Sequence, residues 1–347
     1  MRREVTVLIG SRACPQRDER SLARAQTVNS TTERKARKGG KFSAANYLFM
    51  SAIDPYYELL DFGDGRKLER FGEIVLNRPC PAAERLTQSQ PELWAGATAR
   101  FRGPRTGDGS WTPNKKQWEP PEWDFVHTDT NSFRLRLDAL PSGQVGVFPE
   151  QRDSWNWIAK QVGRTKSQAG EGEASGPLKV LNLFAYTGGS TLAAAAAGAS
   201  VVHVDAAQNI VNRARENAAI SGLAERPVRW LADDAVKFCQ REIRRCNQYD
   251  AVILDPPTYG HGPGGEPWKV FEHLLPLLQL CGELTSARRA FILVTCHSPG
   301  IEAAELGAYL ADGIFGSCAQ PPETGELCLA TEDGRKLPSG VYARWPN

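Results

Sequence analysis

Lys179-Val-Leu-Asn-Leu-Phe-Ala-Tyr-Thr-Gly-Gly-Ser-Thr191, followed by Val201-Val-His-Val-Asp205, decides the fold. Residues 179–184 form a short apolar run of β character. Thr187-Gly188-Gly189-Ser190 breaks it, and the Ala-rich run from Thr191 to Ala197 begins a helix. A second apolar run ends on Asp205. Strand, glycine turn, helix, strand and acid make half of a nucleotide-binding βαβ unit. Glycines there let the backbone approach a ligand, and the helix N-terminus offers unpaired N–H groups to a carboxylate or phosphate. Asp205, at the carboxyl end of the second strand, is placed to accept bonds from ribose hydroxyls. The spacing is not G-x-G-x-x-G, which speaks against NAD or FAD. Taken alone, the stretch also fits a tight βα turn with an incidental acid.

Downstream the alternation continues. Residues 208–221 read as a helix closed by Gly222, 228–231 as a strand ending at Asp233-Asp234, and 235–246 as a helix. Residues 250–254 are a strand ending in Asp255-Pro-Pro257. A Gly-rich loop precedes a helix over 268–281. Residues 290–295 are a strand ending at Cys296-His297, 301–314 a helix, and 327–331 with 341–345 a closing hairpin. Regular βα alternation predicts a doubly wound, Rossmann-like α/β sheet, in which ligands bind outside the carboxyl ends of the strands. Those ends carry the glycine turn, Asp205, Asp233-Asp234, Asp255-Pro-Pro257 and Cys296-His297. Four successive strands ending in acidic or reactive residues argue for a site.

Upstream the texture differs. Residues 1–42 are rich in Arg, Lys, Ser and Thr and read as a disordered basic arm or an organelle transit segment, though Asp18, Glu19 and Glu33 count against the latter. Residues 43–144 read as a smaller β-rich domain, with a hairpin turning at Gly63-Asp64-Gly65 and strands over 73–76, 98–102 and 133–137. Six of the nine tryptophans (94, 111, 118, 123, 155, 157) fall between residues 94 and 157, where they fill a core or offer stacking faces beside Arg100, Arg102, Arg105, Lys115 and Lys116. Residues 154–162 read as a helix, 163–177 as a loop, and 145–347 as the larger α/β domain.

A hydrophobic content of 41% and a charge of 24% are ordinary for a soluble chain, and no apolar run approaches the ~20 residues of a membrane span. A net charge of +2 leaves nucleic-acid binding to a local basic patch. The eight cysteines form no C-x-x-C pair and suit a reducing compartment. His127, His203, His261 and His273 lie in no metal-ligand spacing, so no metal is expected, and His203 reads as a packed core residue.

The strand ends resemble the class I S-adenosylmethionine-dependent methyltransferases. Phe184-Ala-Tyr-Thr-Gly-Gly-Ser190 resembles their first motif, which implies that Phe184, Tyr186, Thr187, Gly188 and Gly189 wrap the methionine end of S-adenosyl-L-methionine. Asp205 matches the ribose-binding acid. Asp233 or Asp234, with Ala235, matches the place of adenine, Asp234 being favoured. Asp255-Pro-Pro257 matches the motif facing the methyl group. A closer resemblance is to the single-cysteine ribosomal RNA cytosine-5 methyltransferases and their uncharacterised relatives. It rests on Phe148-Pro-Glu-Gln-Arg152, which brings in Gln151 and Arg152, on Asn182-Leu-Phe-Ala-Tyr-Thr-Gly-Gly189, on Asp255-Pro-Pro-Thr-Tyr259 with Lys269 beyond it, and on Thr295-Cys296-His297. The chain departs from that family at Glu150 (for Asp), at His297 (for Ser), at Thr285-Ser-Ala-Arg-Arg289 (for a Pro-Gly-Gly turn), and in lacking a recognisable PUA domain.

The resemblance implies methylation of cytosine carbon 5 in (ribosomal) RNA.

 Cytosine carbon 5 is a poor nucleophile until a thiolate adds at carbon 6, so this chemistry requires Cys296 as nucleophile and Asp255 on N3, with the target base flipped out of its stack. The carbon 5 proton would leave to Asp255, to water or to His297. Four alternatives stay open: exocyclic-amine methylation (guanine N2) in RNA, a small-molecule methyltransferase, a protein methyltransferase, and a non-catalytic RNA-binding protein of the same fold. The expected location is cytoplasmic, or a chloroplast or mitochondrion if residues 1–42 are a transit segment. The oligomeric state is not legible.

Overall fold

Residues 180–183, 251–254 and 291–296 are buried at every position in the computed structural model, as strands covered on both faces must be. The structure describes residues 56–103, 108–129, 131–168, 176–317 and 321–347, all within one compact unit, Ile53–Asn347. The arm and transit-segment readings of residues 1–42 lie outside the described residues.

The N-terminal part begins as a meander of β1 (Glu58–Gly63), β2 (Arg66–Phe71) and β3 (Ile74–Pro79). Its first turn is the expected Gly63-Asp64-Gly65, with Asp64 at φ +52°. β4 (Ala99–Arg102) pairs with β3 in parallel, and β5 (Ser110–Thr112) closes the five-stranded sheet. β6 (Asp124–His127) and β7 (Phe133–Arg136) form a separate ribbon. Five of the six tryptophans here belong to the core or pack against it, and Trp94 is half-buried. Trp111, Trp118 and Trp123 run in tilted and edge-on contacts between Phe101 and Phe71, while Trp155 packs against Phe125 and Phe133.

The rest is a βα alternation: α1 (Arg152–Gln168), β8 (Lys179–Leu183), α2 (Gly189–Ala196), β9 (Ser200–Asp205), α3 (Gln208–Ile220), β10 (Val228–Ala232), α4 (Ala235–Arg244) and β11 (Ala251–Leu254). A small hairpin, β12 (Tyr259–His261) and β13 (Pro267–Lys269), precedes α5 (Val270–Leu284), β14 (Phe291–Cys296), α6 (Ala303–Leu310), β15 (Glu323–Ala330) and β16 (Lys336–Trp345). Two expectations shift. α1 continues to Gln168 through part of the expected loop, and α5 begins at Val270 because Trp268 and Lys269 pair with Gly260 and Tyr259.

The seven-stranded sheet has the order β10-β9-β8-β11-β14-β16-β15, with β14/β16 and β16/β15 antiparallel and the other pairs parallel. The winding direction reverses between β8 and β11, so a crevice opens at their carboxyl ends. One apolar cluster covers one face of the sheet and continues from Val180 and Leu192 through Trp155 to Leu59 and Tyr57. A second, with Leu181, Leu254 and Leu278, fills the other face. The β-rich part is also pinned by charge. Buried Asp61 on β1 accepts bonds from Arg335 in the β15–β16 turn (2.7 Å), from Trp94 (2.7 Å) and from the N–H of Gln90 (3.0 Å). Burial alone would raise its carboxyl, but these donors hold it at about 2. Among the described residues no helix is long and apolar enough to cross a membrane.

Candidate active site

The turn after β8 carries unusual backbone. Phe184 and Tyr186 sit at φ +54° and +48°, and Gly188 at +96°. Bulky side chains at positive φ cost on the order of 1–3 kcal/mol each and persist only where the surroundings over-determine them. Here they are over-determined. Ala185 N–H donates to Val204 O (3.1 Å), Tyr186 N–H to Asp205 Oδ2 (2.9 Å), Thr187 Oγ1 to Gly146 O (2.7 Å), and Asn217 Nδ2 to Thr187 O (2.8 Å). The result turns the rings of Phe184 and Tyr186 into the crevice. Gly188 precedes α2 without a side-chain cap, so the first N–H groups of α2 have no partner within the helix.

A cavity of about 540 Å³ occupies the crevice. Phe148, Phe184, Ile210 and Trp268 give it apolar walls, and Asp205, Asp233, Asp234 and Asp255 supply carboxylates along the strand ends. Asp205 Oδ1 accepts the N–H of Ala207 (3.0 Å) and Oδ2 that of Tyr186, which fixes the carboxylate in place. Burial nevertheless pushes its carboxyl above the usual value, against these N–H groups. Asp234 caps α4 by accepting Lys237 N–H (2.8 Å), and Asp233 pairs with Arg241. A fixed carboxylate for vicinal hydroxyls, apolar walls for a flat ring and a free helix N-terminus form a donor set that suits a nucleoside bearing an anionic tail. A smaller cavity of about 40 Å³ adjoins, reaching Gln151, Thr187, Gly189 and Ser190.

Across the crevice stands a polar cluster whose members are scattered along the sequence. Asp255 Oδ1 accepts from Thr295 Oγ1 (2.7 Å), and Gln151 Nε2 approaches Asp255 Oδ2 (3.2 Å), Thr295 Oγ1 (3.0 Å) and His297 Nε2 (3.2 Å). His297 Nε2 lies 3.4 Å from Asp255 Oδ1. The imidazole also faces the cavity, with its ring 5.8 Å from that of Phe148, which in turn lies 5.4 Å from Tyr186. Glu150 approaches from behind, Oε1 at 4.0 Å from His297 Nδ1 and Oε2 buried with no hydrogen-bond partner. Sequence reading singled out Asp255 and Gln151. It missed Thr295 and gave His297 a minor part, although the strand's alternation around Cys296 is the signal that finds both.

The remaining site candidates fall elsewhere. Cys296 is buried among Ile301, Leu306 and the helix-facing core and lines neither cavity. Burial pushes its thiol up, partly offset by hydrogen bonds from Ser298. Arg152 also lines neither cavity, its guanidinium lying 5.7 Å over the Phe125 ring. The glycines answer to protein more than to ligand: a Cβ on Gly189 would sit 2.7 Å from Trp155, and one on Gly188 3.2 Å from Ala214. Lys269 is paired with Glu272 (2.9 Å). His203 is packed in the core, and burial holds its ring neutral, at about 3.

Comparison with known proteins agrees with the fold. Residues 113–266 match the family model of an S-adenosylmethionine-dependent methyltransferase. The crystal structure of the SAM-dependent methyltransferase from Agrobacterium tumefaciens is 35% identical and superposes with a TM-score of 0.72, over 84% of this chain and 90% of that one. Ribosomal RNA large subunit methyltransferase I of Photobacterium profundum is 32% identical over 142 residues, 41% of this chain and 32% of the relative. Ribosomal RNA large subunit methyltransferase K/L of Shewanella baltica is 39% identical over 92 residues, 26% of this chain and 12% of the relative. The chain thus spans a third or less of the length of these curated relatives.

Proposed function

Because the chain belongs to the S-adenosylmethionine-dependent methyltransferases, we propose that it methylates ribosomal RNA, at an exocyclic amine of a base. The observation that carries this reading is Asp255, whose carboxylate stands on the cavity wall with Thr295, Gln151 and His297 around it. A carboxylate so placed accepts an N–H of the incoming amine and holds the nitrogen lone pair in line for attack. Pro256 and Pro257 stiffen the loop that carries it.

S-Adenosylmethionine, when bound, supplies a methyl group activated by a sulfonium. In this reading Asp205 takes the ribose hydroxyls, Asp234 and Ala235 border the adenine, and Phe184 and Trp268 shield the methyl-bearing region from water. The N–H groups of Gly189 and Ser190 face the methionine carboxylate. We take residues 145–347 as the methyltransferase domain and 43–144 as a β-rich domain before it. Leu140, Ser142 and Gln144, at their junction, contribute to the cavity wall.

Two features support RNA as the substrate. Two of the relatives named above, those of Photobacterium profundum and Shewanella baltica, act by their names on ribosomal RNA. Beside the Asp-Pro-Pro loop, Tyr259 and Phe271 are exposed (69% and 49%), large rings in water that offer faces for nucleotide stacking. A second reading, methylation of cytosine carbon 5 through Cys296, is favoured by the sequence Thr295-Cys296-His297 on the strand beside β11. The burial of that thiol outside the cavity weighs against it.

The test is to incubate the protein with unmodified total RNA and labelled S-adenosylmethionine, wild type beside Cys296→Ala and Asp255→Asn, and digest to nucleosides. The expected label is on an amine-methylated nucleoside, kept by Cys296→Ala and lost by Asp255→Asn. Labelled 5-methylcytosine that disappears in Cys296→Ala would establish the second reading. Absence of label in RNA, with cofactor binding intact, would move the substrate to proteins or small molecules. Absence of cofactor binding would leave a non-catalytic RNA-binding protein.

A further inference from the structure

Resting on the reading of a proton-bearing acceptor, we propose that His297 takes the acceptor's proton during methyl transfer, through Nε2. The first argument is the tautomer. Nδ1 lies 2.5 Å from the carbonyl oxygen of Ser339. A carbonyl only accepts, so Nδ1 must carry a proton in the neutral ring, and Nε2 is left with the lone pair. Nε2 is also the nitrogen on the Asp255 side, 3.4 Å from Oδ1. The ring itself lines the cavity.

The second argument concerns Gln151. Its Nε2 has two protons and three near oxygens or nitrogens, at Asp255, Thr295 and His297. Thr295 donates its own proton to Asp255 and so accepts from Gln151. One Gln151 proton remains for two acceptors, Asp255 Oδ2 and His297 Nε2. A proton arriving on Nε2 relieves this shortage, because the imidazolium then donates to Asp255 Oδ1 and releases the Gln151 proton to Oδ2.

The third argument is that the backbone is shaped around this ring. Gly340 on β16 has φ +151°, and a Cβ there would lie 2.8 Å from His297 Nδ1 and 2.8 Å from Cys296 O. Any other residue would push the imidazole off the Ser339 carbonyl. The groups facing the ring are Asp255 from β11, Glu150 from the turn before α1, Ser339 from β16 and, farther off, Lys67 from β2. Burial disfavours the charged ring, but Asp255, Glu150 and the bond to the Ser339 carbonyl together outweigh burial and Lys67, and the ring's pKa is raised. Buried Glu150, with Oε2 unpartnered, gives the imidazolium a counter-charge on the side away from Asp255.

The step balances as follows. The amine nitrogen forms a bond to the methyl carbon with its lone pair while the carbon–sulfur bond breaks and its electrons remain on sulfur. The amine proton passes to His297 Nε2, and the imidazolium later returns it to solvent.

Two measurements test this. Turnover on in vitro transcribed ribosomal RNA should rise with pH as His297 loses its proton, with a midpoint above ~6.5, the ordinary histidine value. His297→Gln should lower turnover by about 10²–10⁴-fold and abolish that limb, with cofactor affinity by calorimetry unchanged. Wild-type turnover in His297→Gln would overturn the proposal. The second measurement needs no RNA: ¹⁵N–¹H correlation spectra of histidine-labelled wild type, with the His297 signals assigned by their loss in His297→Gln. Protonation at Nδ1 and a bare Nε2 are expected in the neutral ring, read at a pH above its midpoint, and the opposite tautomer would overturn the proposal. If no RNA is labelled while the Nδ1–H tautomer is found, the RNA reading fails and the proton acceptor stands.

Discussion

The two sides of the crevice are built on different rules. On the side proposed for the cofactor, at the ends of β8, β9 and β10, geometry is set by backbone. Positive φ at Phe184 and Tyr186, N–H bonds to Asp205 and the capping bond of Asp234 fix the site with few side-chain choices. On the side proposed for the methyl acceptor, at the ends of β11 and β14, geometry is set by the two-residue period of a strand. Thr295 reaches Asp255, His297 lines the cavity, and Cys296 between them turns into the core. A local motif therefore reports the first side directly. The second side depends on phase, where one residue's shift exchanges the cavity for the core.

If the two sides are separable, substitutions should divide cofactor binding from turnover. The largest effect is expected for Asp255→Asn, which removes the charge around which Thr295, Gln151 and His297 are arranged. Turnover should fall by about 10²–10⁴-fold with little change in cofactor affinity by calorimetry. Asp205→Asn should do the reverse. Losing a charged acceptor for ribose hydroxyls costs about 1.5–3 kcal/mol, so the cofactor Kd should rise roughly 10- to 100-fold. Turnover at saturating cofactor should stay near wild type. Equal effects of both variants on both quantities would merge the two sides into one site and break the comparison.

Gly189→Ala sharpens the meaning of backbone control. The new Cβ would meet Trp155 at 2.7 Å, so the start of α2 must shift or the indole must move. Overpacking of this kind costs about 1–3 kcal/mol, read as a lower midpoint in urea. Cofactor affinity of the folded variant should change less than with Asp205→Asn. A stable variant with lost affinity would mean that this glycine fronts the ligand, as the sequence alone suggests.

Legibility followed the same division. The glycine turn, Asp205, the Asp-Pro-Pro motif and the strand-helix alternation are local patterns, and the parallel strands of the large sheet stand where periodicity places them, while β15 and β16 begin four and five residues before the expected 327 and 341. β5 and β6 were not legible, being three and four residues long among Gly, Pro and Trp, where pairing partners decide the state and propensity does not. The Trp-rich segment left core and stacking readings both open, because composition does not tell a buried indole from an exposed one. Among the described residues the exposed aromatics are Tyr259 and Phe271 instead. Arg152 and His297 show the limit most plainly. Arg152 sits next to Gln151 in one motif, yet helical geometry turns it toward Phe125. His297 owes its placement to Ser339 and Gly340, some forty residues away along the chain, which no local pattern connects to it.

Cys296→Ala carries the smallest expected effect and discriminates most sharply between the two chemistries. On the amine reading the thiol is core, one of the groups packed against α6. Removing a buried sulfur should cost on the order of 1 kcal/mol of stability and leave turnover close to wild type. The raised thiol pKa points the same way, since a nucleophilic cysteine needs thiolate at neutral pH, and burial here opposes it. On the cytosine reading the same substitution abolishes turnover, and wild type should form a protein–RNA adduct that survives denaturation when the target base is 5-fluorocytosine. Finding that adduct would require the loop after β14 to move and expose Cys296 in the RNA complex, and the acceptor side would then be a site completed by its substrate.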